Sequence, residues 1–202
     1  PLYIGAFGDG EKPRIEAGSL GWASKETRNI VISDLSFPNG LAIGGPLQNL
    51  ILDEIELKDN SLVIQGDWSG ITLRRSTVLD STRPEPVNDG NFWDPGANRV
   101  SGVYISGGER LLIESNLFDH NGWDESYLWD GSALAGQPPS AFSHNVYIQY
   151  DVDDITFRDN IIMRAASQGA QVRPGGVIEG NAYIDNNVGG NFLGAAAPGA
   201  AG

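Results

Sequence analysis

The sequence predicts an all-β fold, a parallel β-helix whose coils each hold three short strands in about 20 residues, with two long loops on one flank. Three observations predict it. An apolar spacing of p, p+2, p+5 and p+7 recurs along the chain. A short apolar alternation precedes each copy. Gly supplies 27 of 202 residues, about 13% against a usual ~7%, yet 40% of the chain is hydrophobic and can fill a core. The surplus Gly is expected at corners and in loops.

The spacing first occurs as Ile30, Ile32, Leu35 and Phe37. It returns as Leu50, Leu52, Ile55, Leu57 and as Ile71, Leu73, Ser76, Val78. Later copies are Leu111, Ile113, Asn116, Phe118 and then Ile155, Phe157, Asn160, Ile162. Gly176, Ile178, Asn181 and Tyr183 form a weaker last copy. Positions p and p+2 share one face of a strand, because strand side chains alternate. The jump of three residues to p+5 requires a corner and a second strand. The upstream alternations supply the third strand: Leu20/Trp22, Leu41/Ile43, Leu62/Ile64, Val103/Ile105, Val146/Ile148 and Ala170/Val172. Asn116, Asn160 and Asn181 share the p+5 corner, so their amides are expected to stack and bond the backbone of the next coil. An antiparallel sheet protein is the competing fold, and the fixed three-strand register argues against it. Helical periodicity is almost absent; the best candidate is a short loop helix.

Two excursions interrupt the repeat. The first three copies start 20 and 21 residues apart, but the next two gaps are 40 and 44. The excess lies between Leu79 and Gly102 and between Phe118 and Val146. Both leave after a third strand and return before a first strand, so they should wall one flank, which in repeat proteins is often the binding face. Residues 1–190 read as one domain and 191–202 as a Gly/Ala-rich flexible tail.

Charge and composition exclude other classes. With 13 Lys+Arg against 26 Asp+Glu the net charge is −13, which argues against nucleic acid and anionic membrane as partners. No apolar run is long enough to span a bilayer. The lack of Cys excludes a disulfide scaffold, a thiolate zinc site and a Cys nucleophile. The only Met is Met163 and no signal-peptide pattern opens the chain, so a processed product or fragment is expected. Phosphate-loop, nucleophile-elbow, HExxH and dinucleotide motifs are absent.

The stretch PLYIGAFGDGEKPRI (1–15) resembles an early coil of the secreted bacterial right-handed parallel β-helix proteins. NIVISDLSF (29–37), RLLIESNLFDHNGW (110–123) and DITFRDNIIMRA (154–165) resemble the same superfamily, over nearly the whole chain. It holds polysaccharide lyases, related hydrolases and epimerases, and phage tailspikes. The resemblance implies a right-handed coil, a secreted or periplasmic bacterial location and a polysaccharide partner. In these proteins the opening stretch usually follows an N-terminal cap, so the chain is expected to lack one. An uncapped end then predicts end-to-end self-association or a missing N-terminal segment.

Candidate chemistry collects on the outward face of the first strand. One column is Tyr104, Tyr147, Gln171; the next is Ser106, Gln149, Arg173; a third is Gly102, Asn145, Gly169, with His144 and Gln168 just before it. Such side chains bond and stack on sugars, although a merely polar solvated face would look similar. The only two His, His120 and His144, border the second loop, and His is the usual general base near neutral pH. Arg173 is held by the tight turn of QVRPGG. In a lyase a cation neutralises the uronate carboxylate, which acidifies the C5 proton; Arg173 fits that role, with His144 or Tyr147 as base and acid, or His120 as a further base.

The loops add Trp93, Trp123, Tyr127 and Trp129 as sugar platforms or as satellite cores. Asp119, Asn121 and Asp124 offer oxygens to a Ca2+ ion. The clusters Asp119, Asp124, Glu125, Asp130 and Asp151, Asp153, Asp154 offer the carboxylate pair of a glycoside hydrolase, or solvated turns. The leading expectation is a lyase acting on an acidic polysaccharide. Because a net charge of −13 repels a polyuronate, it requires a local positive spot from Arg173, Arg164, Arg158 or Ca2+. A hydrolase and a non-catalytic adhesin, tailspike-like or filament-forming solenoid are the alternatives.

Overall fold

The computed structural model describes residues 1–16, 18–21, 27–87, 92–128 and 135–192. The chain opens with β1 (Leu2–Gly5), β2 (Ser19–Gly21) and β3 (Thr27–Ser33). Complete coils follow as β4 (Leu41–Gly44), β5 (Leu47–Asp53), β6 (Glu56–Lys58) and as β7 (Leu62–Gln65), β8 (Trp68–Arg74), β9 (Thr77–Leu79). The next are β10 (Val103–Ile105), β11 (Glu109–Glu114), β12 (Leu117–Asp119) and β13 (Val146–Ile148), β14 (Asp153–Arg158), β15 (Ile161–Met163). The last are β16 (Gln168–Val172), β17 (Val177–Glu179), β18 (Ala182–Ile184) and then β19 (Val188–Asn191). No helix occurs among the described residues, so the short loop helix is not found there.

Strands stack coil on coil into three parallel sheets. The first-strand sheet runs β2-β4-β7-β10-β13-β16-β19; the second runs β1-β3-β5-β8-β11-β14-β17; the third runs β6-β9-β12-β15-β18. Registers follow the apolar spacing: Leu50 pairs with Ile71, Ile71 with Leu111, and Leu111 with Ile155. Each column therefore stacks like on like inside the tube. Leu50, Leu52, Leu73, Ile113, Phe118 and Phe157 are fully buried, each worth about 1.5–3 kcal/mol of apolar transfer. Phe118 and Phe157 stack at 6.5 Å between ring centroids.

The p+5 corner carries the expected ladder. Asn116 Oδ1 accepts from Ser76 N–H at 3.0 Å, Asn160 Oδ1 from Asn116 N–H at 3.1 Å, and Asn181 Oδ1 from Asn160 N–H at 3.0 Å. Each amide also donates back to the preceding strand, to Leu73 O, Ile113 O and Phe157 O respectively. Nearer the N-terminus the same column is apolar, with Leu35 and Ile55 buried.

Glycine explains the corners less than its abundance predicts. Glycines with positive φ turn the corner from first to second strand at Gly45, Gly66, Gly107 and Gly175, but fourteen non-glycine residues among those described also take φ between 50° and 64°. They fall in three columns: Asn29, Asn49, Arg110, Asp154; then Asp34, Glu54, Arg75, Ser115, Asp159; then Asp59, Asp80, His120, Arg164, Asp185. Short Asp and Asn side chains tolerate this left-handed region by bonding locally. Gly is required where a corner also packs closely against a neighbouring coil. A Cβ on Gly108 would lie 2.2 Å from Trp68 Cδ2, and that indole is buried with its Nε1 donating to Ser106 O at 3.0 Å.

Both long loops leave the third sheet and re-enter the first-strand sheet, after β9 and after β12. They therefore stand side by side along one edge of that sheet. The tube's end strands β1, β17, β18 and β19 each pair along one edge only. They carry exposed Leu2, Ile4, Val177, Ile184 and Val188. Asn191 closes β19, and the rest of the expected tail from 193 onward lies outside the described residues, as does Trp22 of the first alternation.

Candidate functional site

A cleft of about 670 Å³ opens on the outward face of the first-strand sheet, against the two loops. Its floor is the register-matched column Val63, Tyr104, Tyr147, Gln171 on β7, β10, β13 and β16. These side chains point outward because their neighbours Val103, Ile105, Val146, Ile148, Ala170 and Val172 are fully buried. Six residues expected at the site meet here: Tyr104, His144, Tyr147, Gln149, Gln171 and Arg173.

Four of them form one network. Arg173 Nη1 donates to Gln149 Oε1 at 3.2 Å and lies 3.4 Å from Tyr147 Oη. Gln149 Nε2 donates to Tyr104 Oη at 3.3 Å. The guanidinium also sits 5.4 Å from the centroid of Tyr150, a cation–π contact that holds its plane. Tyr147 is flanked edge-on by Tyr104 at 5.7 Å and by His144 at 5.2 Å.

The electrostatics of this face differ from the rest of the tube. Across the second sheet the outward column Asp53, Arg74, Glu114, Arg158, Glu179 alternates in sign. Arg74 bonds Asp53 at 3.0 Å and Arg158 bonds Glu114 at 2.7 Å, each acid raising its arginine's pKa. Arg164 forks onto Asp119 with two bonds of 2.7 Å, raised in the same way. The positive spot expected from Arg158 and Arg164 is therefore not there, because adjacent coils neutralise both. The cleft instead gathers Arg83, Arg99 and Arg173, with no Asp or Glu among its described lining residues. None of the three has an ion pair among the described residues. Arg83 Nε, His144 Nδ1, Gln168 Oε1 and Arg173 Nε are buried there without a hydrogen-bond partner.

His144 is 3% exposed, and burial pushes its imidazole pKa down from 6.5 to about 4. It is therefore neutral across neutral pH. The unfolded chain binds a proton below about pH 6.5 that the folded chain refuses until about pH 4. Stability is thus expected to fall by up to about 3 kcal/mol as pH drops through that window, and not above it. Denaturant titrations of the wild type and His144→Gln across this range check it: the substitution should flatten the acid limb, and an unchanged limb removes His144 as its cause.

The buried amide of Gln137 ties the two loops together. Gln137, 1% exposed, accepts from Arg83 N–H at 2.7 Å. Its Nε2 donates to Asn98 O at 2.8 Å and Gly122 O at 3.1 Å. Ser143 Oγ, beside His144, accepts from Val100 N–H at 3.0 Å. The second loop thereby holds the first, and with it Arg83 and Arg99. Gln137→Ala is expected to open the loops locally, at a cost of ~2 kcal/mol, so the Arg83 amide should exchange roughly 30-fold faster. Hydrogen exchange followed by NMR checks this; core amides such as Leu52 should be unaffected.

Several expected site residues lie elsewhere. His120 is buried at a left-handed corner, its Nδ1 2.8 Å from Asp80 Oδ1 and its ring 4.4 Å from Trp123. It does not line the cleft. Trp123 donates to Arg164 O at 3.0 Å and lines a separate cavity of about 330 Å³ with Pro139, Ala165 and Ala166. Trp93 buries an unpaired Nε1, outside the cleft lining, and Tyr127 is half-buried in its loop. Trp129 lies outside the described residues.

Asn145 is fully buried, so it does not reach the cleft as a sugar ligand. Its Oδ1 accepts from Asn121 N–H and Nδ2, and its Nδ2 donates to Phe118 O and Met163 O. Gly102 admits this pair, since a Cβ there would lie 2.6 Å from Asn121 Cγ. The three residues offered for Ca2+ do not converge. Asp119 is taken by Arg164, Asn121 by this inner ladder, and Asp124 Oδ1 by Ser126 N–H and Oγ. No group of three His, Asp or Glu able to hold a metal occurs among the described residues.

Arg83, Arg99 and Phe142 join the cleft without having been singled out from the sequence. A signal existed: Arg83 and Arg99 are the only Lys or Arg residues of the two excursions. Phe142, 52% exposed, is an aromatic residue that the second loop presents to the cleft.

No curated protein and no solved structure matches the chain. The family model of the right-handed β-helix region matches residues 21–198, which takes in every complete coil, both loops and every cleft residue. With three all-parallel sheets closing the tube around it, the chain belongs to the right-handed β-helix family.

Proposed function

We propose that the protein is a polysaccharide lyase that cleaves an acidic, uronate-containing polysaccharide by β-elimination. One observation carries this reading: on a chain of net charge −13, the cleft gathers Arg83, Arg99 and Arg173 without a described carboxylate beside them. Such a cleft attracts a carboxylate that the rest of the surface repels.

In this reading Arg173 pairs the carboxylate of the sugar at the cleavage point and stabilises the charge that develops as C5 loses its proton. Neutral His144 accepts that proton. The C5–H electron pair forms the C4–C5 double bond, the C4–O4 bond breaks, and Tyr147 Oη–H protonates the departing oxygen. Tyr104, Gln149 and Gln171 orient the ring by hydrogen bonds, and Phe142 offers an exposed aromatic face. A hydrolase reading would need two carboxylates flanking the bond, and the described cleft lining has none. A secreted or periplasmic bacterial location accompanies a polysaccharide substrate.

The test is a panel of polyuronates followed by the ultraviolet absorbance of the unsaturated product. A rise on at least one is expected; no rise on any overturns the lyase reading. A second reading, self-association through the tube ends, is favoured by exposed Leu2 and Ile4 at one end and Val177, Ile184 and Val188 at the other. Sedimentation over a concentration series checks it, with a concentration-independent monomer as the contrary result.

A further inference from the structure

We propose that the cleft has two separate anion-binding arms and therefore selects an acidic chain rather than a single acidic sugar. The proposal rests on the polysaccharide reading above and concerns the length and charge pattern of the ligand. Its basis is where the three arginines that have no ion pair among the described residues stand.

Arg173 follows the last residue of β16, in register with Gln149 past the end of β13. Arg83 and Arg99 stand on the loop side, with Val100, Ser101, Ala141 and Phe142. That side adjoins the start of the strands, where Ser101, His144 and Gln168 lie level with one another. From His144 to Gln149 is five residues, or roughly 16 Å of extended strand. Along the tube axis the floor crosses β7, β10, β13 and β16, three strand spacings or roughly 14 Å. The backbones that carry the two arms thus stand at opposite ends of the floor strands, and each arm is assigned its own carboxylate.

Both arms are held in place. Gln137 fixes the backbone at Arg83, and Asn98, beside Arg99, is tied to the same amide. Gln149 and Tyr147 fix Arg173. Neither Arg83 nor Arg173 has an ion pair among the described residues, so neither charge is neutralised by the chain around it. A chain lying diagonally across Tyr104 and Tyr147 would place one carboxylate at each arm. Held ends of this kind raise affinity by effective concentration, without new contacts of another sort.

The experiment measures binding of galacturonic acid and mannuronic acid monomers, trimers and hexamers by calorimetry at low salt. The proteins are the wild type, R83A/R99A, R173A and, as a control for lost positive charge, R158A. Circular dichroism confirms folding, and R83K/R99K keeps the charge should the double Ala variant misfold. The wild type should bind hexamers at least about tenfold more tightly than monomers. R83A/R99A should bind hexamers no more tightly than monomers, while R158A should match the wild type. Equal affinity for monomer and hexamer, no hexamer binding by the wild type, or full hexamer affinity in R83A/R99A each overturns the proposal. The two readings fail separately. Length-dependent binding without an unsaturated product removes the lyase and keeps the arms. An unsaturated product formed equally well by R83A/R99A, with unchanged hexamer binding, removes the arms and keeps the lyase.

Discussion

Arg173→Ala is expected to lower kcat/KM for polyuronate cleavage about a thousandfold, equivalent to ~4 kcal/mol of transition-state stabilisation. The size follows from the isolation of this guanidinium. It is aimed by Gln149 and Tyr147 at distances of 3.2 and 3.4 Å and faces no described carboxylate that would share its charge. Its field acts on whatever anion enters the cleft. Arg173→Lys keeps the charge and loses the planar fork, so its rate should fall between the two. Arg158→Ala removes the same formal charge from a guanidinium already bonded to Glu114, and should leave the rate unchanged. Thermal midpoints should stay close for all three, because none removes a core contact. A fully active Arg173→Ala enzyme would show that the carboxylate is neutralised elsewhere.

The second large effect concerns the tube itself. Asn160→Ala is expected to destabilise the fold by ~3–5 kcal/mol, read as a lower denaturant midpoint at equal slope. One buried amide serves four partners: it accepts from Asn116 N–H and Nδ2, and donates to Ile113 O and to Asn181 Oδ1. Truncation leaves each of these short of a bond where water does not reach, and an unmade buried bond costs more than a made one contributes. Asn181→Ala, at the half-buried end of the ladder, should cost only ~1–2 kcal/mol. Equal losses at the two positions would mean that the ladder does not act as a stack.

The repeat was legible because it depends on little more than side-chain alternation. Inward Leu50, Leu52, Ile55 and Leu57 repeat with the same offsets as Ile71, Leu73, Ser76 and Val78, and parallel stacking puts like above like. The outward column Tyr104, Tyr147, Gln171 was legible for the same reason, since an outward residue is simply the neighbour of an inward one. The Asn ladder was half legible. The p+5 column shows in the spacing, but the inner pair Asn121 and Asn145 does not, because the second loop separates them in sequence. Asn145 thus looked like part of the outward face and is a fastener inside it.

Charge was where composition misled. A net charge of −13 gives no hint of a basic cleft, and an Arg in sequence carries no mark of being paired or free. Arg158 and Arg164 find acids 44 and 45 residues away, in the neighbouring coil, whereas Arg173 finds Gln149 at 24. The same holds for the two His. Both border one loop, yet Asp80 draws His120 into a corner while His144 faces Tyr147 in the cleft.

The chain's local pattern determined the coil, its register, the three sheets and the corner at which both loops depart. These follow from alternation and corner spacing, which act over a few residues and repeat. The tertiary structure alone decided which polar groups meet. Gln137 reaches Arg83 across 54 residues, and Arg83, Arg99 and Arg173 come together from two loops and a strand end. Loop paths depend on such long-range bonds, and a side chain's charge is exposed or cancelled only once adjacent coils have stacked. That stacking is how an acidic chain acquires a basic cleft.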